Sequence, residues 1–519
     1  YGDHRDLHLS IRRQRQMCIR DSIALYFALS LGIGWWARAR KNASSGEYFL
    51  GGGKIPLWAA AISIYATGVS SISYMALPAY AYSKDWRAML VGPLGAMAGF
   101  VVATFFIGIL RRLNTVTVFA YLEHRFDPRV RTLGAGLAMV LAIFGRSSVV
   151  LLLPALALST VTGISVYLSI VLMGLVTTYY SMEGGFAAVI WTDVIQFAAM
   201  MGGVVAILYY ALAGVPDGVA GVFSAGSAAD KFDLLTFEWN FTQVSVWVLL
   251  GFFAANVFKE LSDQPVMQRA MAAKSVGEAR RTLVFGYLLG FPSNPLFFFV
   301  GTALFAFYQA HPDRMVAGLD SDAIVPYFVV NELPAGLVGL IIAAIFAAAM
   351  STLSSSLNSA AAMLVVDVRG VLKPDATDAQ RVRLGRNFTL LAGLLATGMA
   401  AFVASRGTSS LWEQSMKLLS LFGGAFPGIF ALGLLTRRAS STGVIIGAVA
   451  SIGMVLWVQN YTRINPFFHG FTALAATIVV GYAASLVFPS AKPAAALAGL
   501  TVWDRKSRKH EEEGVTYQS

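Results

Sequence analysis

The chain has 519 residues, of which 56% are hydrophobic and only 13% are charged, and its net charge at pH 7 is +11. A soluble protein carries about 25% charged residues. This composition, with a mean hydropathy of +0.64, therefore excludes a soluble globular protein and indicates an integral membrane protein. A single cysteine, Cys18, excludes a disulfide framework and a thiolate metal site. The sequence has neither a nucleophile elbow nor a phosphate-binding glycine loop, so we do not expect an enzyme.

Thirteen hydrophobic segments have about the length that a membrane span requires. Backbone polar groups in lipid must be satisfied within the segment that carries them, so each segment is predicted to be helical. In chain order the predicted helices cover 23–37, 56–80, 88–110, 132–159, 164–181, 188–213, 243–267, 283–309, 336–366, 387–404, 412–436, 440–458 and 467–488.

The lysines and arginines are divided unevenly between the two sides of the membrane. If the first helix runs inward, 25 of them lie in inner loops or the C-terminal tail and six lie in outer loops between the helices. The positive-inside rule then places the N-terminus outside and the C-terminus in the cytoplasm. Topology accounts for the net charge without a nucleic-acid partner, so we expect membrane lipid as the surroundings and no nucleic acid.

Residues 1–22 break this charge pattern, because five arginines precede the first helix on its outer side. Part of this stretch resembles a translated sequencing adapter, and we interpret 1–22 as non-native or disordered. The alternative is a genuine basic extension. We assign 23–490 to the transmembrane domain and 491–519 to a cytoplasmic tail.

The stretch 347–359 packs hydroxyl groups into an apolar helix. Ser351, Ser354, Ser355 and Asn358 follow i, i+3, i+4, i+7 spacing, so their oxygens share one helical face. Such a face can bind a cation that has lost its water, or it can only allow two helices to approach closely. The segment alone leaves both interpretations open.

The middle of helix 56–80 is small and hydroxylated around Gly68. Glycine lowers helix stability by about 1 kcal/mol relative to alanine. Helices broken near the midplane form ion and substrate sites in many transporters, because the break exposes carbonyl oxygens. The alternative is a close-packed glycine contact, but the serine-rich face elsewhere in the chain favours a break.

Three polar side chains lie inside other predicted helices. Arg146 is midway along 132–159, where a charge must face water or a partner. Its guanidinium fork is suited to a substrate carboxylate; alternatively it pairs with Asp193 or with backbone carbonyls. Asp193 is either a cation ligand or an acid near a helix N-terminus. Asn256 is either a substrate contact or an amide that joins two helices.

The chain resembles the sodium:solute symporter family over about 45–490. The resemblance is most specific at 48–52, 191–196, 263–269 and 351–359, which occur in the family's order and at its spacing. It implies an all-α, LeuT-type fold: two inverted five-helix repeats at about 56–213 and 243–436, with additional flanking helices.

The resemblance also implies a set of site residues. The main sodium site would use the carbonyls of Ala66, Val69 and Ala348 and the hydroxyls of Ser351 and Thr352. Members related to the bacterial sialic acid transporters have a second sodium site, which matches Asp193, Ser351, Ser354 and Ser355. Substrate contacts would come from Arg146, Ser70, Ser73 and Asn256.

The implied function is sodium-coupled symport of a carboxylate-bearing small molecule, foremost sialic acid, by alternating access with one or two Na⁺ and as a monomer. Sugar-transporting members carry a glutamine where this chain has Ile72 and Ser73, which argues against a neutral hexose. A monocarboxylate, an amino acid or a sugar is the alternative substrate. A transport-inactive sensor or a channel is a further alternative.

Overall fold

The computed structural model describes residues 21–38, 44–370, 375–406, 425–489 and 497–503. Within these ranges the regular secondary structure is helical throughout. The first part of the chain forms α1 (21–38), α2 (Ser45–Leu50), α3 (Leu57–Gly68), α4 (Ser71–Ser83), α5 (Val91–Val101), α6 (Ile107–Arg112), α7 (Ala120–Arg125), α8 (Pro128–Val140), α9 (Ser148–Thr162) and α10 (Val166–Gly214).

The second part continues the all-helical pattern. It forms α11 (Val219–Ala228), α12 (Val246–Ser262), α13 (Gln264–Met271), α14 (Val276–Gly290), α15 (Ser293–Ala310), α16 (Ile324–Glu332), α17 (Ala335–Ala362), α18 (Asp378–Ser405), α19 (Ala425–Leu435), α20 (Ser441–Tyr461) and α21 (Pro466–Val487). Three π-helical segments join α5 to α6, join α8 to α9 and extend α17; they are Val102–Phe106, Leu141–Ser147 and Met363–Arg369.

Each of the thirteen predicted segments lies mainly on helices where the structure describes it, but 56–80 is interrupted at 69–70, 243–267 at Asp263 and 283–309 at 291–292. Eight helical stretches among the described residues are long and apolar enough to cross a membrane, and α3 with α4 forms a ninth span bent by 51°. The predictions 164–181 and 188–213 are the two arms of α10. The predictions 23–37, 243–267 and 412–436 correspond to α1, α12 and α19, although 412–424 lies outside the described residues.

Gly185 separates the two arms of α10. Its φ of 58° and ψ of −148° lie outside the helical region, in a conformation that side chains with a Cβ rarely adopt. A Cβ there would also lie 2.7 Å from the carbonyl oxygen of Tyr48. Glycine is thus required at this position, where the first arm of α10 ends and the second begins. That arm carries Asp193.

Helix α17 is the most enclosed of the eight spans. In its most apolar window 83% of the residues are buried, against 28–56% in the other seven. It contacts α3, α4, α9 and α10, among others. Lipid therefore does not reach its hydroxyl-rich face, and those oxygens must find partners within the protein.

Helices α10 and α18 pack through two reciprocal glycine–threonine contacts. A Cβ on Gly174 would lie 2.1 Å from Thr397 Oγ1, and a Cβ on Gly393 would lie 2.0 Å from Thr178 Oγ1. Each threonine thus occupies the space that a glycine of the other helix leaves. Such small-residue contacts let the backbones of membrane helices approach closely.

We predict that Gly393→Ala lowers the stability of the protein. The added methyl group must push α18 away from α10, and overpacking of this kind costs about 1–3 kcal/mol. Thermal unfolding of the purified protein in detergent measures the effect. The matched control is Gly398→Ala on the same helix, where a Cβ meets no atom within 4 Å among the described residues. Equal melting temperatures for the two variants would contradict the contact.

Candidate functional site

The span that contains Gly68 is interrupted halfway along its length. Helix α3 ends at Gly68, Val69 is extended (φ −87°, ψ 96°), and α4 begins after Ser70 (φ −89°, ψ 172°). The break predicted from sequence is confirmed. Since residues 69 and 70 leave the helix, the carbonyls of Ala66 and Thr67 lose the N–H donors that a continuous helix would supply.

Hydroxyl groups of α17 donate to these carbonyls. Ser351 Oγ lies 3.0 Å from the Ala66 oxygen and 3.1 Å from the Ala348 oxygen. Thr352 Oγ1 lies 3.4 Å from the Thr67 oxygen. Both side chains are fully buried. The structure thus brings together four of the five residues expected at the main sodium site, beside the fifth, Val69, at the break.

Asp193 forms a buried ion pair with Arg269, which lies between the predicted helices 243–267 and 283–309 and was therefore counted in an inner loop. Arg269 Nη2 lies 3.1 Å from Asp193 Oδ2, and the two side chains are 1% and 0% exposed. Ser63 Oγ donates to the same carboxylate oxygen and accepts from Arg269 Nε at 2.8 Å. The loop assignment of Arg269 is therefore wrong: α13 carries it into the core, where its charge is neutralised.

The same guanidinium also contacts the serine-rich face. Arg269 Nη2 donates to Ser355 Oγ at 2.6 Å, and Ser355 Oγ lies 2.9 Å from Thr67 Oγ1. Ser354 Oγ donates to the Ser351 carbonyl at 3.0 Å. Two of the residues expected at the second sodium site, Asp193 and Ser355, thus contact Arg269, which already supplies positive charge there. Asp193 Oδ1 is buried and has no hydrogen-bond partner among the described residues, so it can accept a further cation.

Arg146 lies between two helix breaks. It is part of the π-helical segment Leu141–Ser147. Its Nη2 donates to the Thr67 carbonyl at 2.9 Å, and its Nη1 lies 3.3 Å from Asp263 Oδ2. Asp263 is the non-helical residue that separates α12 from α13, with φ −75° and ψ 93°. Of the two alternative partners predicted for Arg146, a backbone carbonyl is confirmed, whereas Asp193 is wrong because it pairs with Arg269.

The other expected substrate contacts lie at the start of α4 and on α12. Ser70 lies at the break and is buried, and Ser73 lies in the first turn of α4 and is half-buried. Asn256 donates to the Phe252 carbonyl of its own helix at 2.9 Å. Within the part of the chain that the structure describes, no hydrogen bond joins Asn256 to Arg146 or to either serine.

Glu260, a carboxylate three residues before Asp263, has its own partners. Lys259 Nζ lies 2.6 Å from Glu260 Oε1 and 3.9 Å from Asp263 Oδ2. Tyr287 donates to Glu260 Oε2 at 2.7 Å. Glu260 is therefore occupied by contacts that do not include Arg146.

Comparison with known proteins identifies the relatives of this architecture. The sodium:solute symporter family model matches residues 48–451. The chain is 39% identical to the sodium/sialic acid symporter NanT of Aliivibrio fischeri, over 87% of this chain and 89% of that protein. It is 36% identical to the sodium/sialic acid symporter SiaT of Proteus mirabilis, over 90% of this chain and 94% of that protein.

A solved structure of a sodium-coupled symporter has a similar fold. The substrate-bound, outward-open state of a Na⁺-coupled sialic acid symporter matches with a TM-score of 0.83 at 32% identity, covering 92% of this chain and 99% of that one. The fold is the LeuT-type arrangement that the sequence resemblance implied.

We predict that the Asp193–Arg269 pair shows strong non-additivity in a double-mutant cycle. Asp193→Asn or Arg269→Gln alone leaves an uncompensated buried charge and should cost about 3–5 kcal/mol of folding free energy. The double variant should recover a large part of that loss. Unfolding in mixed micelles measures each variant.

A control cycle uses the more exposed Arg314–Glu332 pair, whose side chains are 49% and 11% exposed. Its coupling should be below about 1 kcal/mol. Equal coupling in the two cycles would show that burial does not decide the strength of the Asp193–Arg269 pair.

Proposed function

The chain belongs to the sodium:solute symporter family, and from this membership we propose that it is a secondary active transporter and not an enzyme. It moves a carboxylate-bearing solute, foremost sialic acid, together with sodium by alternating access. The observation that carries the choice of an anionic substrate is the position of Arg146. Its guanidinium lies beside the helix break, and its side chain is 23% exposed, so a ligand can reach it. A planar carboxylate can accept two parallel hydrogen bonds from such a group.

The oxygens around the break support the main sodium site. Carbonyls of Ala66, Val69 and Ala348 with hydroxyls of Ser351 and Thr352 form an uncharged set of ligands. Unwound backbone and the C-terminal end of a half-helix bind sodium in transporters of this architecture. The hydrogen bonds between Ser351 and the carbonyls of Ala66 and Ala348 keep three of these oxygens close together.

A second sodium is supported by the free oxygen of Asp193. In the proposed site Asp193, Ser351, Ser354 and Ser355 share the ion, and Ser351 contributes to both sites. Because Arg269 already neutralises Asp193, this ion needs a rearrangement of the pair that the main-site ion does not need. The proposed stoichiometry is two sodium ions per substrate.

The carbonyl of Thr67 offers a route for coupling. It accepts hydrogen bonds from Arg146, on the substrate side, and from Thr352, on the sodium side. An ion that orders the break therefore also orders a partner of Arg146. Linkage then requires that sodium and substrate raise each other's affinity by the same factor.

Arg146 alone does not distinguish sialic acid from a smaller carboxylate, so a monocarboxylate or an amino acid is the second candidate substrate. The protein is a multi-pass membrane protein. We place it in the inner membrane as a monomer, surrounded by lipid and without nucleic acid, with its N-terminus outside and its C-terminus in the cytoplasm.

We predict saturable uptake of sialic acid into proteoliposomes that depends on an inward sodium gradient. Arg146→Ala should raise the KM by about 100-fold, because two charge-assisted hydrogen bonds to the carboxylate are lost. Arg314→Ala, which removes an outer arginine, is the matched control. Uptake that ignores the sodium gradient would refute symport, and competition by small monocarboxylates but not by sialic acid would select the second substrate class.

We also predict that the two sodium sites separate by mutation. Thr352→Ala should raise the sodium concentration for half-maximal uptake about tenfold. Ser354→Ala should lower the sodium Hill coefficient to about one, and unlike Asp193→Ala it strands no buried charge.

The control for both variants is Ser356→Ala on the same helix, whose buried hydroxyl has no partner among the described residues. An unchanged Hill coefficient in Ser354→Ala would leave one coupled sodium.

A further inference from the structure

Asp263 holds the arginine that the proposed function assigns to the substrate. Its Oδ2 lies 3.3 Å from Arg146 Nη1, and its side chain is 9% exposed. It reaches this position because the backbone leaves the helical conformation at residue 263, between α12 and α13. The chemical group that it presents to Arg146 is a carboxylate, the same group that an acidic substrate presents.

The contact between Asp263 and Arg146 is a weak one for two opposite charges. Ion-paired N–H···O bonds are usually about 2.7–2.9 Å long, and this one is longer. A second cation, Lys259, is 3.9 Å from Asp263 Oδ2. Asp263 Oδ1 is buried without a hydrogen-bond partner among the described residues. Asp263 thus contacts the guanidinium through one oxygen only.

A free carboxylate can make a better contact with the same guanidinium. It is not fixed to a backbone, so it can align both oxygens with the planar fork of Arg146. A neutral ligand has no charge with which to displace Asp263. Breaking the Asp263–Arg146 ion pair therefore costs every ligand binding free energy. An anionic ligand recovers that free energy through its own contact with Arg146.

We propose that Asp263 is an internal competitor for Arg146: it holds the guanidinium when no substrate is bound and gives it up to the carboxylate of an anionic substrate. This role rests on the proposed function of Arg146. Asp263 is then a specificity-determining residue, because it excludes neutral solutes. It also favours release, because it takes back Arg146 as the substrate leaves. The displaced Asp263 carboxylate retains Lys259 as a neighbouring cation.

The test is Asp263→Asn in the full-length protein, with binding measured by calorimetry and with uptake measured in proteoliposomes. Removal of the competing charge should tighten sialic acid binding and lower its KM by about tenfold. The kcat should fall as well, because release becomes slower. The methyl ester of sialic acid, which the wild-type protein should exclude, should also gain affinity, because the ion pair that it cannot displace is gone.

Two controls define the effect. Glu260→Gln removes a carboxylate three residues away that is paired with Lys259 and Tyr287, and its KM should match that of the wild-type protein. Asp263→Glu restores a carboxylate and should reverse the gain. A structural defect would weaken binding, so the direction of the change separates the two roles.

An Asp263→Asn variant whose affinity for sialic acid is unchanged or lower would overturn the proposal. Asp263→Ser is the second variant. If neither variant protein is recovered from the membrane, the proposal is also rejected, because the fold must tolerate the loss of a carboxylate that the substrate displaces. Failure of the proposed function itself is distinguishable, since the wild-type protein would then show no sodium-dependent sialic acid uptake.

Discussion

The structure depends on one constraint: a helix that stops halfway across a membrane must have its broken hydrogen bonds replaced. Lipid offers no water, and an unsatisfied backbone group there costs several kcal/mol. At the break after Gly68, the carbonyls of Ala66 and Thr67 are satisfied by Ser351, Thr352 and Arg146. The most enclosed span and the arginine of the proposed substrate site are therefore both fixed by the same two carbonyls.

A second helix interruption, at Asp263 between α12 and α13, also contributes to this network of contacts. Arg146 contacts the first break through a carbonyl and the second through a carboxylate. Arg269, six residues beyond Asp263, enters the core and meets Asp193 and Ser355. Two arginines thus add charged contacts to the hydrogen bonds and apolar packing that already join these helices. Each has one acid as its partner, so neither cation is left without a counter-charge.

Much of this could be predicted from local sequence. Hydrophobic length and the 3.6-residue period were enough for the helices, and small hydroxylated residues around Gly68 predicted the break. The partners of the buried charges could not be predicted in this way. Arg269 and Asp193 are 76 residues apart, and Arg146 and Asp263 are 117 apart; these pairs are created by tertiary packing.

Arg269 also shows why a loop count misleads. The positive-inside rule counts an arginine by its distance from a hydrophobic segment. Helix α13 is short and returns into the protein, and all of its residues are buried. The available signal was the motif that contains Arg269, since 263–269 is among the stretches where the family resemblance is most specific. Physical pattern alone assigned it to the surface.

The buried ion pairs also determine how the transport cycle responds to voltage. Asp193 forms an ion pair with Arg269, and Asp263 forms an ion pair with Arg146. Each pair therefore has no net charge before an ion or a solute binds. The return of the empty carrier then moves no charge through them. In the proposed stoichiometry, two sodium ions with one anionic solute add a net charge of one, and a potential of 100 mV acts on that charge with about 2.3 kcal/mol. An inside-negative membrane would thus accelerate the loaded half of the cycle through that charge, whereas these two pairs give it no charge to act on in the empty half.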